Sequence, residues 1–297
     1  MYPAICTPVT ADEAIDLEAQ RRVVRFALEC GSHGIVAFGL AGEVLKLSPD
    51  ERRQLLDVIL DEVGGAVPVF VGAGAPSMRA SVELARYAEA AGASCVVLPA
   101  PLVGAPGSAA LVDYFVRIAA AVSLPVMIQD APAHLGVGLG PEIVRKVGAA
   151  AANVRLVKLE AGPVEMSQWL DQLGGEFSIW GGDGGVYLLD CIRIGAAGII
   201  PGVDLVDLIV QAYEAEARGE SAIAEERLRE ILPMLVFEMQ HSIDHYNICA
   251  KRVLVHRGVL EQAGLRAPAA APSDISRALL DRYLAGLQLD AGAVRVD

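Results

Sequence analysis

Positive charge is scarce in this chain. Its 297 residues include 37 acidic and 24 basic ones, a formal charge of −13, and only four of the basic residues are lysines: Lys46, Lys146, Lys158 and Lys251. Neither nucleic acid nor an anionic membrane attracts so acidic a surface, so neither partner is expected. Cysteine is sparse too. Cys6, Cys30, Cys95, Cys191 and Cys249 are odd in number, far apart and form no CxxC pair. That argues against a disulfide framework or a structural zinc site and makes a reducing, cytoplasmic setting the expectation. The start, MYPAICTPVTADE, has no basic region followed by a long apolar one, so no signal peptide is indicated. No lysine follows a glycine, no His precedes a Glu, and no G-x-S-x-G occurs. These absences remove the phosphate loop, the HExxH zinc site and the nucleophile elbow. The first strand–helix turn also lacks GxGxxG, of which Gly72-Ala73-Gly74-Ala75-Pro76-Ser77 is a partial echo, so an open dinucleotide-binding sheet is disfavoured. The uncharged stretch Ala90–Val112 is long enough to span a bilayer, but Pro99, Pro101, Pro106 and three glycines interrupt it. It reads as a buried strand followed by a loop.

What the chain has is apolar content: 54% hydrophobic residues and a mean hydropathy of +0.43, enough for a large core. Short β-branched runs alternate with Gly/Pro/Ser loops and amphipathic segments. Eight strands are expected, over Ala4–Thr7, Gly34–Phe38, Val67–Gly72, Cys95–Leu98, Val126–Gln129, Val154–Lys158, Phe177–Trp180 and Gly198–Pro201. Helical patterns lie between them, and Ser48-Pro49-Asp50-Glu51 is a capping box with proline at the first helical position. Nearly unbroken apolar strands alternating with helices predict an α/β fold, a (β/α)8 TIM barrel. After Arg218 the strand pattern stops and helices are expected near Ala222–Met239, Ser242–Arg257 and Asp274–Ala285, with a Pro/Ala-rich connector over 264–272. The predicted organisation is a barrel over 1–218 and a C-terminal helical region over 219–297.

In such a barrel chemistry sits at the C-terminal ends of the strands. Lys158 interrupts the apolar run Val154-Arg155-Leu156-Val157-Lys158. Alternation puts Val154, Leu156 and Lys158 on one face, which would aim the lysine into the barrel. An amine taken out of water favours its neutral, nucleophilic form and can condense with a ketone. The competing reading is a lysine at the mouth paired with Glu160. Three loops join it. The glycines of Gly39-Leu40-Ala41-Gly42-Glu43 expose backbone amides that could cradle a carboxylate. Gln129, Asp130 and His134 follow another strand. Gly181-Gly182-Asp183-Gly184-Gly185 would let a ligand approach the backbone. His241 and His245 are four apart on a predicted helix without a third ligand, and read as structural.

From Ala4 to roughly Gly258 the chain resembles the dihydrodipicolinate synthase/N-acetylneuraminate lyase family. The resemblance rests on Cys6-Thr7-Pro8, Gly39-x-x-Gly42-Glu43, Leu47-Ser48-Pro49-x-Glu51-Arg52, Gly72-Ala73-Gly74, Ala131-Pro132, Val157-Lys158-x-Glu160-Ala161, Gly182-Asp183 and Gly195-Ala-Ala-Gly198-Ile-Ile200, in that order. It implies a (β/α)8 barrel with C-terminal helices, a homo-oligomer (tetramer or dimer), no cofactor or metal, and Lys158 as the residue forming a Schiff base with a 2-keto acid. The departures are informative. The family's Gly-Thr-Thr-Gly-Glu loop reads Gly39-Leu40-Ala41-Gly42-Glu43, and its acid/base tyrosine is replaced by Gln129. A second tyrosine falls on Leu102 or Val103, and the arginine gripping a dicarboxylate falls on His134. Dihydrodipicolinate synthesis is therefore not expected. Met127-Ile128-Gln129-Asp130-Ala131-Pro132 resembles the branch containing L-2-keto-3-deoxyarabonate dehydratase.

The expectation is thus a lyase that dehydrates a 2-keto-3-deoxy sugar acid. The alternatives are a pyruvate-releasing retro-aldolase and a catalytically silent keto-acid binding protein. Lys158, Gln129 and Glu43 are the expected catalytic residues, with Glu43, His134 or ordered water as acid/base. Leu40, Ala41, Gly42, Asp130, His134, Gly182 and Ile200 are the expected substrate contacts, the amides of Ala41 and Gly42 holding the C1 carboxylate.

Overall fold

The computed structural model describes residues 1–101 and 106–287. Strands β1 (Ile35–Ala37), β2 (Val69–Gly72), β3 (Cys95–Pro99), β4 (Val126–Asp130), β5 (Val154–Leu159), β6 (Ser178–Gly181) and β7 (Gly198–Ile199) form one parallel sheet in chain order. The segment expected as the first strand, Ala4–Thr7, is not one. Ala4 alone bridges Val36 on one edge and Gly202 beyond the other. The amide of Ala4 donates to Pro201 O at 2.7 Å, that of Ile5 to Val36 O at 3.0 Å, and that of Val36 to Pro3 O at 2.9 Å. Pro3 and Pro8 have no N–H to offer a ladder, so the segment closes the sheet through a few bonds instead of a full strand. A parallel sheet closed in this way matches a (β/α)8 barrel.

The intervening helices are α1 (Leu17–Glu29), α2 (Pro49–Val63), α3 (Met78–Ala91), α4 (Ser108–Ala119), α5 (Pro132–Leu135), α6 (Gly140–Ala150), α7 (Pro163–Leu173), α8 (Leu188–Arg193) and α9 (Val206–Ala217). Their starts are encoded locally. Asp16 accepts from the Ala19 amide at 2.9 Å and Ser77 from that of Ala80 at 3.2 Å. At Ser48 the capping box closes both ways, with Ser48 N–H to Glu51 at 2.8 Å and Glu51 N–H to Ser48 at 3.2 Å. Helices α10 (Ser221–Met239), α11 (Ile243–His256) and α12 (Asp274–Gly286) follow. No described helix is long and apolar enough to cross a membrane. The Ala90–Val112 stretch contains the expected strand, β3, and runs into the start of α4; of the loop expected after the strand, residues 102–105 lie outside the described residues.

Apolar side chains divide into two clusters. A small one, including Val36, Phe70, Val97, Met127 and Ile200 with Leu156 against it, fills the barrel, while a large one joins strands to helices. In β5 the expected alternation fails at one point. The register with β4 shifts between Val126 and Met127, so Met127 pairs with Leu156 and Arg155 is an extra residue. Val154 consequently packs in the outer cluster, whereas Leu156 belongs to the inner one. Lys158, two residues beyond Leu156, inherits its inward direction.

Candidate active site

Register places the polar strand ends together. Gln129 on β4 is level with Lys158 on β5, which is level with Trp180 on β6. Gln129 is 4% and Lys158 6% exposed. Glu160, two residues past the lysine, completes a knot: Lys158 Nζ lies 2.6 Å from Glu160 Oε1, and Gln129 Nε2 donates to the same oxygen at 3.3 Å. The other oxygen, Oε2, accepts the backbone N–H of Asp183. Both Glu160 oxygens are therefore engaged, and the lysine is both aimed inward and paired with this carboxylate.

Gly182 explains how the carboxylate fits. A Cβ at that position would lie 2.1 Å from Glu160 Oε2, so only glycine leaves the space. The residue expected to let a ligand approach instead makes room for Glu160.

Electrostatics separates the two acids. Burial pushes the Glu160 carboxyl up, but the Lys158 charge and the Asp183 amide outweigh it and hold it below the ordinary carboxylate range. Asp183 is pushed up to about 7, by burial first and then by the Glu160 charge, with Lys158 opposing. One acid stays ionised while its neighbour exchanges a proton near neutrality. Ligand atoms of His134, Glu160 and Asp183 lie within 4.8 Å of one another. A cation there would compete with the Lys158 ammonium already on Glu160, so the donor set suits protons better than a metal.

Two cavities meet at Lys158. The larger, about 330 Å³, runs from Lys158 and Gln129 past Leu40, Val97 and Leu135 to Arg52, and its walls are mostly apolar. The smaller, about 70 Å³, is bounded by Lys158, Glu160, Ala41, His134, Ile200 and Tyr246. Leu40, Ala41, His134 and Ile200 thus stand where a substrate contact was expected.

Gly42, Asp130 and Glu43 line neither cavity. The amide of Gly42 donates to Gly39 O at 3.0 Å inside a 3₁₀ turn, and its carbonyl accepts from Thr7 Oγ1 at 2.8 Å. Of the two amides expected to hold a carboxylate, that of Ala41 is the one not engaged by a described residue. Asp130, 3% exposed, accepts the Leu139 amide at 3.0 Å and so ties the loop before α6; burial raises its carboxyl. Glu43 takes an ion pair with Lys251 at 2.6 Å, Lys46 at 3.3 Å and the Arg266 amide at 3.1 Å. This is a clasp between the Gly39–Glu43 loop and the C-terminal region. Leu102 and Val103 lie outside the described residues.

Several residues of the site lie outside the expected set. Glu160 was legible as the i+2 neighbour of an inward lysine, and Asp183 as the acid in a glycine run. The α10–α11 junction also reaches the smaller cavity, through Met239, His241, Ser242, Ile243 and Tyr246. No strand-end pattern marks that segment. His245 is structural, bonding Phe237 O at 3.0 Å, but His241 lines the cavity.

Fold and site together define a class: the class I lyases built on parallel α/β barrels. Comparison with known proteins gives the family. The model of the dihydrodipicolinate synthetase family matches residues 1–285. A 4-hydroxy-tetrahydrodipicolinate synthase of Methanopyrus kandleri is 34% identical over 238 residues, 79% of each chain. A DapA-like lyase of Halobacterium salinarum is 32% identical over 299 residues, 97% of this chain and 94% of that one. The solved structure of YagE, a prophage protein of the dihydrodipicolinic acid synthase family from E. coli K12 in complex with pyruvate, superposes with a TM-score of 0.88 at 24% identity, covering 97% of this chain and 99% of that one. The chain belongs to the dihydrodipicolinate synthetase family, whose members are Schiff-base-forming class I lyases without a metal requirement.

Proposed function

We propose that this lyase dehydrates a 2-keto-3-deoxy sugar acid through an imine on Lys158. The observation that carries the reading is the Glu160 carboxylate 2.6 Å from Lys158 Nζ, with both side chains buried. Glu160 accepts a proton from the ammonium, freeing the amine to attack the C2 ketone, and then returns that proton to the hydroxyl of the adduct, which leaves as water to give the iminium and restores the Glu160 carboxylate. The iminium acidifies C3, which is two bonds from Nζ, so a carboxylate in contact with the nitrogen is within reach of the C3 proton. Glu160 takes that proton, and the enamine electrons expel the C4 hydroxyl, which leaves as water on taking a proton from an acid lining the cavity. Hydrolysis of the imine releases the product and restores Lys158.

Gln129, where the family resemblance expects a tyrosine, donates a hydrogen bond but moves no proton at neutral pH, which disfavours dihydrodipicolinate synthesis. The Ala41 amide receives the C1 carboxylate, and His134 and Asp183 stand beside Glu160. We assign the barrel to residues 1–218 and the helical region to 219–297, the latter closing the smaller cavity. Pyruvate binding in relatives fits a small keto acid as ligand.

Product analysis with a panel of 2-keto-3-deoxy acids tests the reading. Dehydration retains every carbon in one product. Release of pyruvate with an aldehyde assigns retro-aldol cleavage instead, and imine formation without product assigns a binding protein.

A further inference from the structure

Behind the smaller cavity lies a cluster that the mechanism above leaves unused. Asp204, 1% exposed, and Glu238, 0% exposed, face each other in the interior. Both Glu238 oxygens and Asp204 Oδ2 lack a donor among the described residues. Among the described residues neither carboxyl has an ion-pair partner; Arg257, a cation acting on Asp204, is bound to Asp207 at 2.8 Å. A proton held between two buried carboxyls satisfies both without a cation, and the pair is close enough to share one.

Tyr246 separates this pair from the cavity. It lines that cavity with Lys158 and Glu160 and is 7% exposed. A Cβ on Gly202 would meet Tyr246 Oη at 2.0 Å and Asp204 Oδ1 at 2.6 Å, which places phenol and carboxyl against the same glycine. No hydrogen bond to a described residue engages the hydroxyl.

Resting on the dehydration reading, we propose that Tyr246 is the acid of the reaction, donating its proton to the departing C4 hydroxyl, and that the Glu238–Asp204 pair reprotonates it. The C4–O bond breaks with its electron pair on oxygen, the phenol O–H bond breaks, and water forms. The phenolate then takes the shared carboxyl proton. The C3 proton held by Glu160 returns to the set through cavity water, so one proton leaves the substrate and one is delivered. The phenol lost at Gln129 is thereby supplied from α11.

Local charge supports the direction of transfer. Burial and the Asp204 charge hold Glu238 well above the ordinary carboxylate range, so it carries the proton, and Asp204 is pushed up to about 6. Burial, then Asp204 and Glu238, with smaller contributions from Cys6 and Glu160, raise the phenol well above its ordinary value. A phenolate there is therefore short-lived and is reprotonated by the carboxyl pair. The Cys249 thiol, facing the same pair, is raised as well and stays neutral.

The test uses Tyr246→Phe and Glu238→Gln in the full chain, with two readouts: deuterium exchange of the pyruvate methyl group in D2O, and dehydration of 2-keto-3-deoxy sugar acids. Exchange returns its proton through Glu160 and needs no acid for a leaving group, so Y246F should lower dehydration about 100-fold while lowering exchange far less. E238Q keeps the shape and a donor for Asp204 but has no proton to lend, so kcat falls and the alkaline limb of its pH profile flattens. Y246F dehydrating within twofold of wild type overturns the proposal, and an E238Q profile superimposable on wild type overturns the role of the carboxyl pair. Wild type that exchanges pyruvate yet dehydrates none of the acids overturns the dehydration reading and this inference with it.

Discussion

Replacing Lys251 by Met separates a structural Glu43 from a catalytic one. The lysine side chain is 1% and that of Glu43 2% exposed, and the amine lies 2.6 Å from Glu43 Oε1 while donating to Gly264 O at 2.7 Å. Removing the cation leaves a buried carboxylate whose remaining partners are Lys46 at 3.3 Å and the Arg266 amide at 3.1 Å. Breaking a buried pair from one side costs about 3–5 kcal/mol, and the two surviving partners place this case near the lower figure. At about 2–4 °C per kcal/mol, a loss of about 3 kcal/mol lowers the melting temperature by about 6–12 °C. Glu43→Gln should cost less, because Lys251 keeps Gly264 O, and the double variant should recover part of the K251M loss, since both charges are then gone. Urea unfolding of the three variants gives the cycle, and imine trapping with pyruvate should persist in each. A K251M loss below about 1 kcal/mol, or an E43Q variant that is inactive at unchanged stability, refutes the structural assignment.

Glu160→Gln should lower turnover by about 10²- to 10⁴-fold, the usual loss of a positioned base, and lower the melting temperature as well because Lys158 loses its buried partner, read by steady-state kinetics beside calorimetry. Gly182→Ala should lower activity through the same group, since its Cβ would displace Glu160 Oε2; a crystal structure of the variant should show the carboxylate moved. Asp183 has an ordinary value of 3.8 and a folded value of about 7, so the folded state binds its proton more tightly. Stability should therefore fall as pH rises between these values, and Asp183→Asn should weaken that dependence in denaturant titrations at stepped pH. Asp204, raised to about 6, keeps part of the slope in that variant.

The periodic features were legible. Helix α2 starts where the Ser48 capping box and Pro49 place it, and caps or N-terminal prolines likewise mark the starts of α3 and α7 locally. The inward Lys158 was legible from its apolar strand, although by way of Leu156 and not Val154, since a register shift depends on the neighbouring strand and leaves no local mark. The first strand was over-read, because an apolar run between prolines looks like a strand yet carries only a bridge. Glu43 and Asp130 were assigned to the site because both follow strands. Their partners, Lys251 at 208 residues' separation and the Leu139 amide, turn them to structural use. Tyr246 and His241 escaped for the same reason: tertiary packing of α11, not strand periodicity, brings them to Lys158.

The central claim is that Lys158 forms the imine. Borohydride reduction in the presence of pyruvate, followed by peptide mass mapping, tests it most directly. The predicted result is one stable adduct on Lys158, abolished by Lys158→Ala in a folded protein. No adduct from folded wild type, or an adduct confined to Lys46, Lys146 or Lys251, would contradict it.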